Sequence, residues 1–383
     1  MNNKLIPLSV PNISGNEWEY VKDCLDTGWI SSAGGFVGKF EEMVADYVGA
    51  KFGVATVNGT CALHISLQLS GVKRNDYVII PNITFVATAN SVKYTGADPI
   101  LIDVDLNNWQ MNLDLLEEFL TKETYGNLKG DCILKDDGRC IRVIMPVHVQ
   151  GNMTDMDRLI RIADQHNLLI IEDAAEALGT TYKSKHSGTF GLMGCFSFNG
   201  NKIISTGGGG VIVSDDELLA KKAKHITTTA KVDPMSYYHD EIGYNYRMVN
   251  VLAAIGVAQM EVLDSFVRRK KEIGAFYKEH LSGVGDIGFQ TVLDDVDHNN
   301  WLFTIKTSHQ TELLKHLNDN KIISRPFWMP MNKLPMYKDC LYVVTGSDAC
   351  EELLKTCLAI PCSTSITDDE LERVVVEIKN ALY

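Results

Sequence analysis

The chain has 383 residues, of which 45% are hydrophobic and 22% charged, a composition that excludes a disordered or collagen-like protein. Its 36 Lys and Arg residues against 49 Asp and Glu residues give a net charge of −13, which disfavours nucleic acid as a partner because like charges repel. The sequence shows no signal-peptide pattern and no apolar run of about 18 residues, so we expect a cytoplasmic protein without a membrane partner.

The nine cysteines are the next compositional feature. Their number is odd and no CxxC motif occurs. We therefore expect reduced thiols, and neither a disulfide framework nor a bound metal.

The first half of the chain alternates short apolar runs with helical patterns. Apolar runs that predict buried strands lie at residues 52–57, 77–81, 99–104, 141–149, 168–171, 195–198 and 210–213. Helical spacing occurs at residues 84–94 and 156–166. This alternation predicts an α/β fold with a mostly parallel central sheet sandwiched by helices.

The second half indicates a smaller unit. Helices are predicted at residues 217–227 and 250–281, and we expect the second, very long one to be broken. A strand at 301–306 and helices at 311–320 and 368–382 then suit a small α+β domain. With a length that favours two domains, we predict a large domain at 1–255 and a small C-terminal domain at 256–383.

The first motif with chemical content is the segment NGTCALH at residues 58–64. It follows a predicted strand and opens a helix. Gly59 permits a sharp turn, and the Thr60 hydroxyl with the neighbouring amides can hold a phosphate at the positive helix end. An ordinary helix cap without a ligand explains the motif equally simply.

The second motif is IIEDAAE at residues 170–176. It places Asp173 where a buried strand ends, and the carboxyl edge of an open α/β sheet is where ligands bind. A buried carboxylate needs a compensating cation, and a protonated pyridine nitrogen would supply one. The alternative is a cap for the next helix.

The third motif is FSFNGNK at residues 196–202, followed by Gly207–Gly210. A lysine beside a buried aromatic strand is desolvated, which favours the free amine that imine formation requires. Ser197 offers a hydroxyl to a phosphate, and the glycines allow close approach of backbone to a ligand. The alternative is a solvated lysine in a flexible loop.

A fourth segment, GYNYR at residues 243–247, taken alone is a loop-to-helix junction with a surface arginine. The order of the four features matters more than any one of them. A phosphate site, a carboxylate for a ring nitrogen and an imine-forming lysine are the parts that a pyridoxal 5′-phosphate (PLP) enzyme must supply.

Five segments carry a resemblance to a known family: NGTCALH, PNITFVATAN, IIEDAAEALG, FSFNGNKIISTGGGG and GYNYRMVNVLAAIGVAQM. From about residue 6 onward the chain resembles the DegT/DnrJ/StrS-type nucleotide-sugar aminotransferases, which are fold type I PLP enzymes. The segment NGNKI followed by TGGGG most resembles the corresponding segment of one branch of this family. The enzymes of that branch aminate carbon 4 of UDP-linked 4-keto-6-deoxy-N-acetylhexosamines, on routes to bacillosamine and legionaminic acid.

The resemblance implies a role for individual side chains. Lys202 would be the Schiff-base lysine and Asp173 the partner of the pyridine nitrogen. The other cofactor-binding residues that it implies are Gly59, Thr60, Phe85, Glu176, Ser197 and Asn245. Asn245 would reach the cofactor of the neighbouring subunit in a homodimer, and the implied substrate-binding residues are His148, Tyr244 and Arg247.

Two positions depart from the family pattern. Gln150 stands where many relatives have Tyr, and Gly208 where many have Glu. Any substrate contact made by those side chains therefore does not transfer to this chain.

The expected reaction moves an amino group from L-glutamate to a nucleotide-linked keto sugar, for surface glycan biosynthesis. A carbon-3 aminotransferase acting on a dTDP-3-keto-6-deoxyhexose stays open, because the same core serves both. A carbon-3 dehydratase would carry His in place of Lys202. A silent PLP-binding or nucleotide-sugar-binding regulator would not need Lys202 and Asp173, and an NAD enzyme would need GxGxxG after the first strand.

Overall fold

The computed structural model describes residues 4–233 and 235–383. Its helices are α1 (Glu17–Thr27), α2 (Gly35–Val48), α3 (Gly59–Leu69), α4 (Ala87–Tyr94), α5 (Leu113–Glu123), α6 (Met156–Gln165), α7 (Glu217–Thr227), α8 (Asn250–Leu281), α9 (Gln310–Asp319), α10 (Ala349–Thr356) and α11 (Asp368–Leu382). Its strands are β1 (Phe52–Thr56), β2 (Tyr77–Pro81), β3 (Asp98–Ile102), β4 (Thr124–Gly126), β5 (Cys132–Leu134), β6 (Cys140–Ile144), β7 (Leu169–Asp173), β8 (Thr181–Tyr182), β9 (Lys185–His186), β10 (Met193–Ser197), β11 (Gly210–Ser214), β12 (Gly288–Phe289), β13 (Val296–Asp297), β14 (Phe303–Lys306), β15 (Arg325–Pro326), β16 (Tyr342–Val343) and β17 (Cys357–Ile360).

The main sheet has ten strands, eight of them in the order β1-β11-β10-β7-β6-β2-β3-β16, with β5 and β4 attached beside β6. The pairs from β10 to β16 along this order are parallel, whereas β11 runs antiparallel to both β1 and β10. Apolar strands such as β2 are buried because helices cover both faces, and each fully buried Val or Ile side chain stabilises the fold by about 1.5–3 kcal/mol. The predicted fold type I architecture is confirmed.

A four-stranded sheet in the order β12-β14-β17-β15 forms the C-terminal part, with α9 and α11 packed beside it. The C-terminal region also returns to the main sheet, where β16 pairs in parallel with β3. Conversely, the N-terminal segment joins the C-terminal part, because Ile6 forms a parallel bridge with Ile322. The predicted division near residue 255 lies inside α8, and it stays a prediction.

Helix α8 corrects one expectation, since it is a single 32-residue helix and not a broken one. Its two glycines are sites of close packing: a Cβ at Gly256 would lie 2.6 Å from the Phe40 ring, and one at Gly274 would lie 2.9 Å from the Asn300 amide. The helix is long and apolar enough to span a membrane by length and composition, but 61% of its most apolar window is buried inside the protein. It is the central core helix of the fold.

Candidate active site

The predicted site residues meet at one edge of the main sheet. Asp173 ends β7 and Ser197 ends β10, and these strands are parallel, so both residues lie at the carboxyl edge. The register pairs Thr56 of β1 with Gly210 of β11, which in turn pairs with Ser197. Since β1 therefore runs parallel to β10, the start of α3 lies at the same edge.

A cavity of about 740 Å³ opens at this edge. Seven of the predicted residues line it: Gly59, Thr60, Phe85, Asp173, Glu176, Ser197 and Lys202. The opposite wall comes from the C-terminal part and includes Trp301, Leu302, Arg325, Phe327, Trp328 and Met329.

Asp173 is the buried acid of the cavity, with 4% of its surface exposed. The Thr88 hydroxyl donates a hydrogen bond of 2.7 Å to one carboxylate oxygen, and the Ala175 amide donates one of 3.2 Å to the other. Burial raises the pKa of Asp173, and the hydrogen bond from Thr88 opposes that shift. No ion pair to Asp173 within 4.0 Å occurs among residues 4–233 and 235–383, so the carboxylate has no direct cationic partner.

Lys202 lies between Glu176 and Trp301. Its Nζ is 3.7 Å from Glu176 Oε1 and 4.1 Å from the centre of the Trp301 ring, with 13% of the side chain exposed. Burial lowers the pKa of Lys202, against the opposing effect of Glu176 and Asp173. Burial also raises the pKa of Glu176 to about 7, although Lys202 acts in the other direction. The site therefore keeps a reactive amine beside a carboxyl group that titrates near neutral pH.

The N-terminus of α3 forms the anion-binding end of the cavity. The Asn58 side chain caps the helix by accepting from the Cys61 amide at 2.8 Å. The first amides of a helix have no partner inside the helix, so those of Gly59 and Thr60 are placed to bind an anion. A Cβ at Gly59 would lie 2.9 Å from Ser197 Cβ, so glycine is what lets this turn approach Ser197.

His148 does not line the cavity. Its ring is fully buried, with Nε2 2.9 Å from Glu172 Oε2. Burial acts to raise the pKa of Glu172, but His148 and the amides of Gly188 and Gly191 lower it overall. The pair therefore fixes the loop after β9, and a substrate contact of His148 stays a prediction without support from this cavity.

The segment at residues 243–247 also lies outside the cavity. Arg247 is 8% exposed and forms an ion pair with Glu41, which takes up its guanidinium inside the protein. Tyr244 stacks on Tyr246 with ring centres 4.8 Å apart. Asn245 is exposed, so it is free to contact a second subunit. The substrate roles of Tyr244 and Arg247 and the cofactor role of Asn245 stay predictions.

The sequence reasoning missed several cavity residues, among them Thr88, Trp301 and Arg325. Thr88 lies one helical turn after Thr84, and their hydroxyl oxygens are 2.7 Å apart, but such a pair has no distinctive sequence signal. Trp301 and Arg325 belong to the C-terminal part and reach the site only through tertiary packing.

Comparison with known proteins agrees with this geometry. Residues 11–379 match the model of the DegT/DnrJ/EryC1/StrS aminotransferase family. The chain belongs to this family. It is 40% identical to GDP-perosamine synthase of Escherichia coli O157:H7 over 88% of each chain, and 36% identical to that of Caulobacter vibrioides over 98% of each. Spr1654 from Streptococcus pneumoniae, solved in its PLP form, superposes with a TM-score of 0.89 at 24% identity, over 99% of this chain and 98% of that one.

The protein is therefore a PLP-dependent sugar aminotransferase, and the cavity fits the cofactor. Asp173 is a buried carboxylate without a direct cationic partner among the described residues, and a protonated ring nitrogen would provide one. The α3 terminus would hold the phosphate, and Lys202 would bond the aldehyde carbon. Phe85 lines the cavity beside Thr84, where it can cover the ring face.

Proposed function

We propose that this enzyme transfers the amino group of L-glutamate to carbon 4 of a UDP-linked 4-keto-6-deoxy-N-acetylhexosamine. The donor leaves as 2-oxoglutarate, whose new keto oxygen comes from water, and the sugar carbon gains the amine while its own keto oxygen is released as water. The product would serve surface glycan biosynthesis.

The observation that carries the aminotransferase chemistry is the arrangement of Lys202, Asp173 and the α3 N-terminus around one cavity. When bound, PLP supplies a reactive aldehyde carbon and an electron-poor ring. Lys202 is the general base that would take the proton from the donor's α-carbon and later return one to carbon 4 of the sugar. Asp173, oriented by Thr88, would keep a proton on the ring nitrogen.

The wall formed by the C-terminal part supports an anionic acceptor. Besides Lys202, Arg325 is the cationic side chain that lines the cavity within the described chain. Its guanidinium donates to the neighbouring Ser324 carbonyl at 3.2 Å and pairs with no carboxylate among the described residues. Such a local cation can attract a nucleotide diphosphate although the chain has a net charge of −13.

Gly208 supports the choice of acceptor. Its φ lies outside the left-handed region that favours glycine. A Cβ there would meet no atom closer than the Val57 carbonyl oxygen at 3.8 Å. The fold therefore does not require glycine where many relatives have Glu. This difference is consistent with a substrate group that differs from theirs, and the segment NGNKI followed by TGGGG points to the N-acetylated UDP-sugars.

A GDP-linked acceptor is the second candidate. It is favoured by the two relatives named GDP-perosamine synthase, at 40% and 36% identity. The same cavity residues would act in the same way on either nucleotide, since the reacting carbon and not the base lies beside Lys202.

The test is a panel of acceptors with the enzyme and L-glutamate. UDP-2-acetamido-2,6-dideoxy-4-keto-hexose, GDP-4-keto-6-deoxymannose and a dTDP-3-keto-6-deoxyhexose are each incubated with wild-type enzyme and with Lys202→Ala, and amino sugars are measured by mass spectrometry. The proposal expects amination of the UDP sugar at a kcat/KM at least roughly tenfold above the others, a difference of about 1.4 kcal/mol in transition-state binding. Preferred amination of the GDP sugar supports the second candidate and contradicts the first.

A further inference from the structure

The core contains a second buried lysine. Lys270 in α8 is 2% exposed. Its ammonium donates a hydrogen bond of 2.7 Å to the Trp301 carbonyl and lies 3.5 Å from Cys362 Sγ. No carboxylate lies within ion-pair distance of it in the part of the chain that the structure describes. A buried ammonium without a counter-charge destabilises a fold, so the position of its single strong acceptor is informative.

That acceptor belongs to a residue that is held on several sides. The Trp301 backbone amide donates 2.8 Å to the Asn299 side chain, and its indole Nε1 donates 2.7 Å to the Asn201 carbonyl. Asn201 directly precedes Lys202 in the chain. Trp301 is itself 2% exposed, and the centre of its ring lies 4.1 Å from Lys202 Nζ.

We propose that Trp301, fixed in place by Lys270, is a positioning residue that covers one side of the Lys202 amine and fixes its place in the cavity. The inference goes beyond the proposed function and does not depend on which sugar is the acceptor. The aromatic face attracts the ammonium form of the amine and excludes water from that side. The indole hydrogen bond to Asn201 holds the backbone beside Lys202 against the same ring.

The burial of Lys270 supports this reading. Burial lowers the pKa of Lys270, so the surroundings of this side chain disfavour its charged ammonium form. A Met of similar length would fill the same space without that cost. Unlike Met, the lysine donates a hydrogen bond to the backbone carbonyl of Trp301, the residue whose side chain contacts Lys202.

The test measures the Lys202 amine directly, in cofactor-free protein and without substrates. Trace acetylation with acetic anhydride is followed by mass spectrometry across a pH series, with an exposed lysine as internal reference. In Trp301→Leu, the amine of Lys202 loses the indole ring that shields it from water and attracts its ammonium form. We therefore expect Lys202 to be acetylated about fivefold or more faster at neutral pH than in wild type, because the amine is more accessible.

Four further variants make the result specific. Trp301→Phe keeps an aromatic face and should retain most of the protection. Lys270→Met should reproduce the increase seen in Trp301→Leu, and the double variant should add nothing further, because both changes remove one interaction. Lys271→Met is the matched control, since Lys271 is the next residue and forms a surface pair with Asp297.

Wild-type acetylation rates in Trp301→Leu would overturn the proposal. An increase in Lys270→Met that adds to that of Trp301→Leu would show that Lys270 acts by another route. Should Lys270→Met fail to fold, as circular dichroism would show, the Leu and Phe variants of Trp301 decide. With cofactor bound, a lower kcat at unchanged donor KM in Trp301→Leu is the expected companion result.

Discussion

The Thr88 hydroxyl donates a hydrogen bond of 2.7 Å to the Asp173 carboxylate. Thr88 lies in α4 and Asp173 at the end of β7, so the contact joins two elements at the floor of the cavity. It orients the acid, which has no direct cationic partner among the described residues. The structure thus prepares one position for a cation that the cofactor's ring nitrogen would fill.

Asp173→Asn should stabilise the cofactor-free protein. Burial raises the pKa of Asp173 in the folded chain, so the folded state holds this proton more tightly than the unfolded state. Stability therefore falls as pH rises from the unfolded pKa through the folded one. In urea unfolding at about pH 8, we expect the free energy of unfolding of the variant to exceed that of wild type by ~1–3 kcal/mol. Below about pH 4 we expect this difference to vanish. A less stable variant across that range would contradict this reading.

The same variant should damage the loaded enzyme. Asn cannot keep the ring nitrogen protonated, whereas the phosphate contacts at α3 are untouched. We expect turnover to fall by about 10²–10³-fold, with PLP affinity changing much less. Single-turnover rates and a PLP titration measure the two effects separately. Equal losses in both would show that Asp173 only helps to bind the cofactor.

Lys202→Ala should abolish multiple turnover. The variant loses both the amine that bonds the cofactor and the general base, which alone contributes about 10²–10⁴-fold. The exposed Lys221→Ala serves as control, because Lys221 pairs with Glu217 on the surface. Continued turnover by Lys202→Ala, measured as 2-oxoglutarate released, would remove Lys202 from its assigned role.

Gly59→Ala should weaken cofactor binding. The new Cβ would lie 2.9 Å from Ser197 Cβ, so the turn must shift where the phosphate would bind. Gly200→Ala is the control, because its Cβ would meet nothing closer than the Pro11 side chain at 3.9 Å. We expect an increase of about tenfold or more in the Kd for PLP in the first variant, or roughly 1.4 kcal/mol, and little change in the second.

Glu176→Gln should flatten the pH dependence of stability. Burial raises the pKa of Glu176 to about 7. Wild-type cofactor-free protein therefore loses stability as pH rises from about 4.5 to about 7, by up to about 1.4 kcal/mol per pH unit for one proton. The variant has no such group and should show a shallower slope in urea unfolding over that window. An unchanged slope would mean that Glu176 titrates as in the unfolded chain.

The sequence predicted the centre of the site better than its walls. Asp173, Ser197 and Gly59 are adjacent to strand ends, and parallel strands bring such ends to one edge of a sheet. Trp301 and Arg325 come from another part of the chain, where no local pattern marks them. His148 and Arg247 show the opposite limit, because their type suggested substrate contacts but buried partners, Glu172 and Glu41, take up their polar groups.

The fold shows the same division. The bounds of α7 and α11 follow directly from their amphipathic patterns and caps, as the capping box of Thr367 and Glu370 illustrates. Helix α8 is continuous and packs Gly256 closely against Phe40, a tertiary contact that no local signal reveals. The return of β16 to the main sheet likewise depends on tertiary contacts.

The central claim is that Lys202 is the amine that bonds PLP. Its most direct test is reduction of the PLP-loaded enzyme with sodium borohydride, followed by proteolysis and mass spectrometry. The account predicts a pyridoxyl phosphate adduct on the peptide that contains Lys202, and loss of the visible absorption band of the bound cofactor. An adduct on another lysine, or none on a protein that binds PLP, would contradict it.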